Sequence, residues 1–462
     1  MALFSRLPHH VHFIGICGRA MGALAMELKR LGVRVTGADK NIFPPMGGYL
    51  TEAGIAFHDS FAAAHLDPAP DHVVVGSYFP PSNPEVAAVL ERRLPWSTLP
   101  GFLGKFLLGE TKNVVVTGTN GKTTTTSMLA WILKCGGKAP SWMVAGESEN
   151  LGKMLHLSQR PRFVLEGDEY ISGLGDLNPK FLHYQPERVL VTNAHWDHVE
   201  VFSSERQYQR GFEALVDLVP PSGGLVLNSD DPFVAGLAGR RPLALIETVG
   251  FDRTAQHRVT GCKSTQHGVS FKILGQEFRL ASHGRINAHN AAMAVVMARQ
   301  CGVEPEKAAL ALEKWIPVAG RQEIWRSGKD LTIIKEEAYH PQALAGAIEA
   351  VRSRFPGRRL VLALQPRYTG GRSGPHQRDL PAALAGVNVA LITDPMEIVW
   401  QEHPFSSRKL GTALRGQGCQ VKCVKKVGDL QLALSSHLQE DDVLLVSLAY
   451  RNEAFFEKLK AL

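Results

Sequence analysis

Short apolar runs alternate along this chain with stretches whose apolar residues recur every three or four positions. "HVHFIGICG" reads as a strand, "RAMGALAMELKRLG" as a helix, and "VRVTGAD" as a second strand ending at Asp39; "DHVVVGS" adds another. A second block opens near Lys112, where Val114 to Val116 read as a buried strand. Met128 to Leu133 read as a helix stopped by Gly136 and Gly137. Strands follow at "RFVLEGDE", "RVLVTNAHWDH" and "GGLVLNSDD", and the block closes on a helix around "GRINAHNAAMAVVMARQCG". A third block after Trp315 carries strands "LTIIKEE", "RRLVLALQP", "VNVALITD", "QVKCVKK" and "DDVLLVSLA", with helical stretches such as "QALAGAIEAVRSRF" between them. Strands alternating with helices predict parallel sheets, so the fold class is α/β. The 462 residues fit roughly three domains at about 150 residues each. The expected boundaries are 1–108, 109–316 and 317–462.

Between the strand at Val114 and the helix at Met128 stands T-G-T-N-G-K-T, running from Thr117 to Thr123. A strand, a glycine-rich turn and a helix start aim backbone N–H groups and the helix dipole at one point, where a lysine adds a full charge. Gly121, Lys122 and Thr123 fit the phosphate-loop pattern, although Val116 stands where its first glycine belongs. Lys122 would reach the β- and γ-phosphates of a nucleoside triphosphate, and the Thr123 hydroxyl would hold Mg²⁺. Gly118, Thr119, Asn120 and Thr124 complete the expected nucleotide-binding loop. The plainer alternative is a threonine-rich helix start with a lysine by chance.

Chemistry in open α/β sheets gathers at the carboxyl ends of strands. Glu166 ends one strand in "LEGDEY", and Asp197 and His198 end another in "TNAHWDH". Thr123, Glu166 and His198 are therefore the candidate Mg²⁺ ligands. "EGDE" could equally be a solvated acidic turn. His195-x-x-His198 could be half a zinc site, but no matching Cys/His set accompanies it. In the first block, Gly15-x-x-Gly18-x-x-x-Gly22 is a loosened dinucleotide fingerprint with Asp39 placed as a ribose-binding acid, or else simple close packing of helix on strand.

Composition narrows the partners. Hydrophobic residues make up 44% and charged residues 21%, a globular balance. The net charge of +7 comes from scattered lysines and arginines without a basic, aromatic-laced run, which argues against nucleic acid and for a small anionic substrate. Cys17, Cys135, Cys262, Cys301, Cys419 and Cys423 show no metal-type pairing beyond a loose Cys419-x-x-x-Cys423, which fits ordinary strand burial, and read as reduced thiols of a cytoplasmic protein. There is no signal peptide, no apolar stretch of membrane length, and no internal repeat. The oligomeric state is not readable.

The motifs, taken in order, resemble the Mur ligase family, ATP-dependent enzymes that join an amino acid or peptide to a UDP-muramyl precursor. "GTNGKTTTTSMLAWIL" resembles the family's ATP loop, with Asn120 where His is usual. "EGDEY" resembles its E-A-D-E segment, and "TNAHWDHVEVF" its strand-end D-H motif. "GRINAHNAAMA" is similar to its adenine-binding helix start, with Asn287 and Asn290 in place and Ile286 for the usual His. "VAGRQE" resembles the linker whose arginine, here Arg321, reaches the γ-phosphate. The resemblance implies a Rossmann-like first domain, a P-loop-type central ATPase domain and a Rossmann-like third domain. It implies ATP and Mg²⁺ as cofactors, Lys122, Glu166, His198 and Arg321 as catalytic groups, and UDP-N-acetylmuramate with an amine as substrates. Gly15, Cys17, Gly18, Met21 and Asp39 would line the UDP-sugar site, and His340 and Arg367 the amine site.

Within the family, "HFIGICGRAMGALA", the P-P-M segment and "GDLNPKFLHYQPERVLVTN" resemble the branch that adds L-alanyl-γ-D-glutamyl-meso-diaminopimelate in peptidoglycan recycling, rather than the branch that adds L-alanine. Departures gather in the third block. The family's D-D-[YF]-[AG]-H-H-P appears as "KEEAYHP", with Lys335, Glu336 and Tyr339 replacing Asp, Asp and the first His. The S-N-T-M usual after Pro366 is absent from "LQPRYTGGRSG", and "SLAYRNEAFF" stands where a glycine-rich stretch is usual. The L-alanine-adding ligase is therefore the alternative within the family, and a catalytically weak UDP-sugar-binding homologue the alternative outside its chemistry. A dinucleotide-dependent oxidoreductase, argued from the first block alone, would leave the phosphate loop unexplained.

Overall fold

The computed structural model describes residues 3–40, 42, 45–198, 201–366, 374–395, 405–448 and 453–460. Packing divides the chain into two units. The first comprises Met1–Ala194, Gln209–Thr248 and Met293–Ala308, the second His195–Tyr208, Val249–Ala292 and Ala309–Leu462.

Two sheets organise the first unit. Strands β1 (His10–Ile14), β2 (Arg34–Ala38), β3 (Phe57–His58), β4 (His72–Val75) and β5 (Trp96–Thr98) form a parallel sheet in the order β3-β2-β1-β4-β5. The helix Arg19–Arg30 that joins β1 to β2 buries Met21, Leu24, Ala25 and Leu28. The second sheet, of eight strands, includes β6 (Lys112–Thr117), β7 (Ser141–Met143), β8 (Leu155–His156), β9 (Arg162–Gly167), β10 (Pro186–Val191) and β11 (Gly224–Asn228). These run in the order β11-β10-β6-β9-β7-β8, parallel except for β8 against β7. Val114, Val115 and Val116 are wholly buried, as a strand covered on both faces requires. Thr117 pairs with Gly167 on one side and Val191 on the other, so the carboxyl ends of β6, β9 and β10 are level. That register sets three strand-end loops side by side.

The second unit contains an antiparallel sheet of β12 (Thr260–Thr265), β13 (Gly268–Ile273) and β14 (Gln276–Leu280). Its main sheet holds β15 (Glu323–Arg326), β16 (Leu331–Lys335), β17 (Leu360–Leu364), β18 (Val389–Thr393), β19 (Gln420–Val424) and β20 (Asp442–Ser447). The order is β15-β16-β20-β17-β18-β19, parallel except for the edge strand β15. Alternate residues of β17 serve two cores. Leu360, Leu362 and Leu364 pack with Leu344, Ile348 and Val351 of the helix Pro341–Arg354. Val361 and Ala363 pack with Leu430, Leu434 and Phe455. The parallel strands match the sequence reading. The small antiparallel sheet was not anticipated, because its three strands are short and broken by glycine turns at Gly268 and Gly275.

Glu27 joins the first helix to the loop after β8. Its side chain is 3% exposed, accepts the Leu157 N–H at 2.7 Å, and pairs with Arg30 at 2.7 Å. Burial opposes its ionisation, but hydrogen bonds from His156, Arg30 and Leu157 outweigh it and hold the carboxyl at about 2. A carboxyl so depressed adds stability in full above its ordinary value of 4.5, and that stability is lost as pH falls towards 2. We expect Glu27→Ala to lower stability by about 3 kcal/mol at neutral pH. Chemical denaturation of both proteins should show this difference shrinking across that acid window.

Candidate nucleotide and active site

The β6 strand ends at Thr117, and four residues separate it from the following helix, Lys122–Cys135. The turn between them needs glycine at two points. Gly118 has φ +133° and Gly121 φ +85°, both in the region that side chains disfavour. A Cβ on Gly118 would lie 2.1 Å from Thr192 Oγ1 and 2.7 Å from the Asn193 carbonyl oxygen. The loop is fastened there. Thr119 N–H donates to the Asn193 carbonyl at 3.1 Å, and Asn120 N–H donates to Asn193 Oδ1 at 2.9 Å. The Thr192 hydroxyl and the Asn193 amide both donate to the Asn120 carbonyl, at 2.6 and 3.0 Å. Thr192 and Asn193 follow β10, which the strand register places beside β6.

Lys122 Nζ donates to the Gly118 carbonyl at 2.6 Å and pairs with Glu169 at 2.8 Å. Burial alone would lower its pKa, but Glu169 and Asp168 outweigh burial and raise it. The Thr123 hydroxyl donates to Glu166 Oε1 at 2.6 Å, and Ala145 N–H donates to Glu166 Oε2 at 2.7 Å. Burial and the Asp168 charge push the Glu166 carboxyl up. Asp168 moves the other way: burial opposes, but Lys180, 3.2 Å away, and Lys122 lower it. A hydroxyl beside carboxylate oxygens, at a helix start carrying a partly buried lysine, has the hard oxygen donors that suit Mg²⁺ and a phosphate cradle. Thr124, the next residue of the expected loop, is buried at 7% exposure.

The first-block candidates also converge. Gly15, at φ +87°, and Ile16 both donate N–H to the Ala38 carbonyl. Asp39, next in the chain, accepts the Cys17 N–H at 3.0 Å. Gly18 caps the helix that buries Met21. Burial, with help from Asp39, lifts the Cys17 thiol to about 12, which keeps it protonated and weakly nucleophilic at neutral pH.

His198, Asn287, Asn290, Arg321 and His340 belong to the second unit. His198 follows Asp197, whose Oδ1 accepts the His198 N–H at 2.8 Å. Asp197 is 1% exposed. Burial disfavours its charge, but His198, His340, His376 and the Tyr339 hydroxyl hold it at about 2. Burial lowers His340 to about 4, and its ring faces His376 at 4.8 Å between centroids. Asn287 is tied to Ser282 Oγ at 2.7 Å and the His283 carbonyl at 2.8 Å, and Asn290 is buried. Arg321 pairs with Glu337 at 2.9 Å. Arg367 lies outside the described residues. Among the candidates, the structure unites Lys122 with its loop and Thr123 with Glu166. The fastening pair Thr192 and Asn193, and Glu169 as the partner of Lys122, were not foreseen as site residues. Glu169 sits inside "EGDEY", but only the fold shows which of its acids faces the lysine.

Family models match three successive stretches of the chain: Mur ligase family, catalytic domain, at residues 10–111; Mur ligase middle domain at 116–298; and Mur ligase, glutamate ligase domain, at 320–447. The chain belongs to the Mur ligase family. It is an ATP-dependent ligase of three-domain α/β architecture. This Mur ligase is 33% identical over 408 residues to the UDP-N-acetylmuramate–L-alanyl-γ-D-glutamyl-meso-2,6-diaminoheptandioate ligase of Haemophilus influenzae, covering 85% of this chain and 87% of that one. The solved structure of UDP-N-acetylmuramate:L-alanyl-γ-D-glutamyl-meso-diaminopimelate ligase from Neisseria meningitides is 31% identical with a TM-score of 0.63, covering 68% of this chain and 99% of that one. In fold alone, it resembles UDP-N-acetylmuramate-alanine ligase from Thermotoga maritima, with a TM-score of 0.79 at 22% identity over 98% and 99% of the two chains. Among the described residues, no helix of this Mur ligase is long and apolar enough to cross a membrane.

The fastened loop generates a test. Gly118→Ala places a methyl group against Thr192 and the Asn193 backbone at a φ that alanine resists. Calorimetry with ATP should show affinity falling at least about tenfold, the equivalent of about 1.4 kcal/mol.

Proposed function

We propose that this Mur ligase joins the lactyl carboxylate of UDP-N-acetylmuramate to the amine of L-alanyl-γ-D-glutamyl-meso-diaminopimelate, in peptidoglycan recycling in the cytoplasm. The observation that carries the ATP-dependent half is the phosphate loop, with Lys122 on Glu169 and Thr123 on Glu166. The peptide half is supported by the relatives from Haemophilus influenzae and Neisseria meningitides. The domains proposed for these tasks are residues 1–108, 109–316 and 317–462.

The lactyl carboxylate attacks the γ-phosphorus, the bond to the β–γ bridging oxygen breaks, and an acyl phosphate and ADP result. The incoming amine then adds to the acyl carbon, and the tetrahedral intermediate collapses with loss of phosphate and a proton. Backbone N–H groups at the start of the helix Lys122–Cys135 receive the phosphates. Lys122, fully charged because Glu169 and Asp168 raise its pKa, neutralises the transferring phosphoryl group. Thr123, Glu166 and His198 would hold Mg²⁺, which supplies charge neutralisation and in-line alignment of the phosphates when bound. Asn287 and Asn290 are assigned to the adenine, Arg321 to the γ-phosphate, and Gly15, Cys17, Gly18, Met21 and Asp39 to the UDP-sugar. His340 and Arg367 are assigned to the amine substrate.

Phosphate release from ATP with UDP-N-acetylmuramate should occur with the tripeptide and not with L-alanine. Release with L-alanine alone would replace this reading by the alanine-adding one; release with neither would leave a binding protein. Lys122→Ala should reduce the rate by far more than tenfold, since a tenfold loss is only about 1.4 kcal/mol of barrier. Retention of a tenth of the rate would remove Lys122 from the mechanism.

A further inference from the structure

We propose that Tyr339 is a positioning residue for the Asp197–His198 pair. The inference rests on the reading of His198 given above and deepens it. Tyr339 Oη donates to Asp197 Oδ2 at 2.7 Å, across 142 residues of sequence. The other oxygen of the same carboxylate accepts the His198 N–H at 2.8 Å. One buried carboxylate therefore links the phenol to the backbone of the residue assigned to Mg²⁺. His198 itself has φ +50°, a left-handed backbone that a non-glycine residue keeps only when its surroundings hold it. The holding contacts are local. Besides Tyr339, His376 Nε2 lies 3.3 Å from the Trp196 carbonyl, and the Trp196 indole N–H donates to the Phe202 carbonyl at 3.1 Å.

Tyr339 occupies the position of the first histidine in the segment that departs most from the family's usual pattern. The departure keeps a hydrogen-bond donor and aims it at an acid on the strand-end loop. Removing the hydroxyl would leave a buried carboxylate oxygen short of its donor and loosen the strained backbone it steadies. A loosened His198 backbone would misplace its side chain, a loss felt in turnover more than in binding of the sugar nucleotide.

The test is Tyr339→Phe in the full chain, read in two ways. Hydrogen–deuterium exchange of peptides spanning 195–202 should quicken at least about tenfold at the His198 amide and its neighbours. Phosphate release should show kcat lowered about tenfold with the KM for UDP-N-acetylmuramate unchanged. Unchanged exchange overturns the proposal. Faster exchange with unchanged kcat makes Tyr339 a structural tie and also overturns it. Should the wild type release phosphate with neither amine, the ligase reading fails separately. Mg²⁺-dependent ATP binding by calorimetry then replaces kcat, with about tenfold weaker binding in the variant supporting the proposal and equal binding overturning it.

Discussion

The Lys122 ammonium lies, partly buried, 2.8 Å from Glu169, with Asp168 and Glu166 near enough to add to its charge stabilisation. A lysine without such partners at this depth would give up its proton. The carboxylates are bound by the same constraint in reverse. Asp168 stays ionised because Lys180 and Lys122 face it, whereas Glu166, with fewer cations near, is pushed towards its neutral form. Three carboxylates thus share two ammonium groups. That imbalance favours a further cation at Thr123 and Glu166, and the lysine is already placed and charged for an anion. An arriving triphosphate competes with Glu169 for Lys122 and brings its own negative charge. Cation and anion therefore suit this cluster together better than either does alone.

This arrangement depends on strand register. Thr117 is level with Gly167 and Val191, so the loops after β6, β9 and β10 start at one height. A shift of one residue in either pairing would exchange faces and carry Glu166 or Thr192 away from the loop. The buried apolar centres of these strands pack into the core, and the polar groups at their ends inherit the register. The glycine at 118 is the price of that closeness, since Thr192 and Asn193 leave no room for a side chain.

The sequence made the parallel strands and the phosphate loop legible because both are local signals. A run such as Val114–Val116 and a spacing such as G-K-T need no knowledge of the rest of the chain. What stayed hidden is non-local or weakly patterned. That Glu169 and not Asp168 meets Lys122 depends on which way two adjacent side chains leave the end of β9. That Thr192 and Asn193 clamp Asn120 depends on β10 lying next to β6, with Asn193 73 positions beyond Asn120 in sequence. The sheet β12–β14 escaped notice because its apolar positions, such as Val269, Phe271, Ile273, Phe278 and Leu280, are few and split by turns. The Tyr339–Asp197 bond had no sequence signal, since neither residue belongs to a motif that names the other.

The altered segment "KEEAYHP" bears on whether the third block has decayed. Each replaced residue has a defined partner. Lys335 Nζ lies 5.2 Å from the Trp325 ring centre and 5.5 Å from that of Phe456, and those two rings meet edge to face. Glu336 is buried and accepts the N–H groups of Gln322 and Ala338, at 3.1 and 2.9 Å. Glu337 pairs with Arg321, and Tyr339 donates to Asp197. Random loss of a functional segment leaves buried charges without partners, which destabilises the fold by several kcal/mol per site. Here the substitutions support one another through contacts made by neighbouring residues. The segment is a different solution with its own hydrogen bonds, and its acids and phenol are directed at Arg321 and at Asp197, beside His198. A reading in which this block holds the site in place therefore accounts for more of its residues than one in which it has merely drifted.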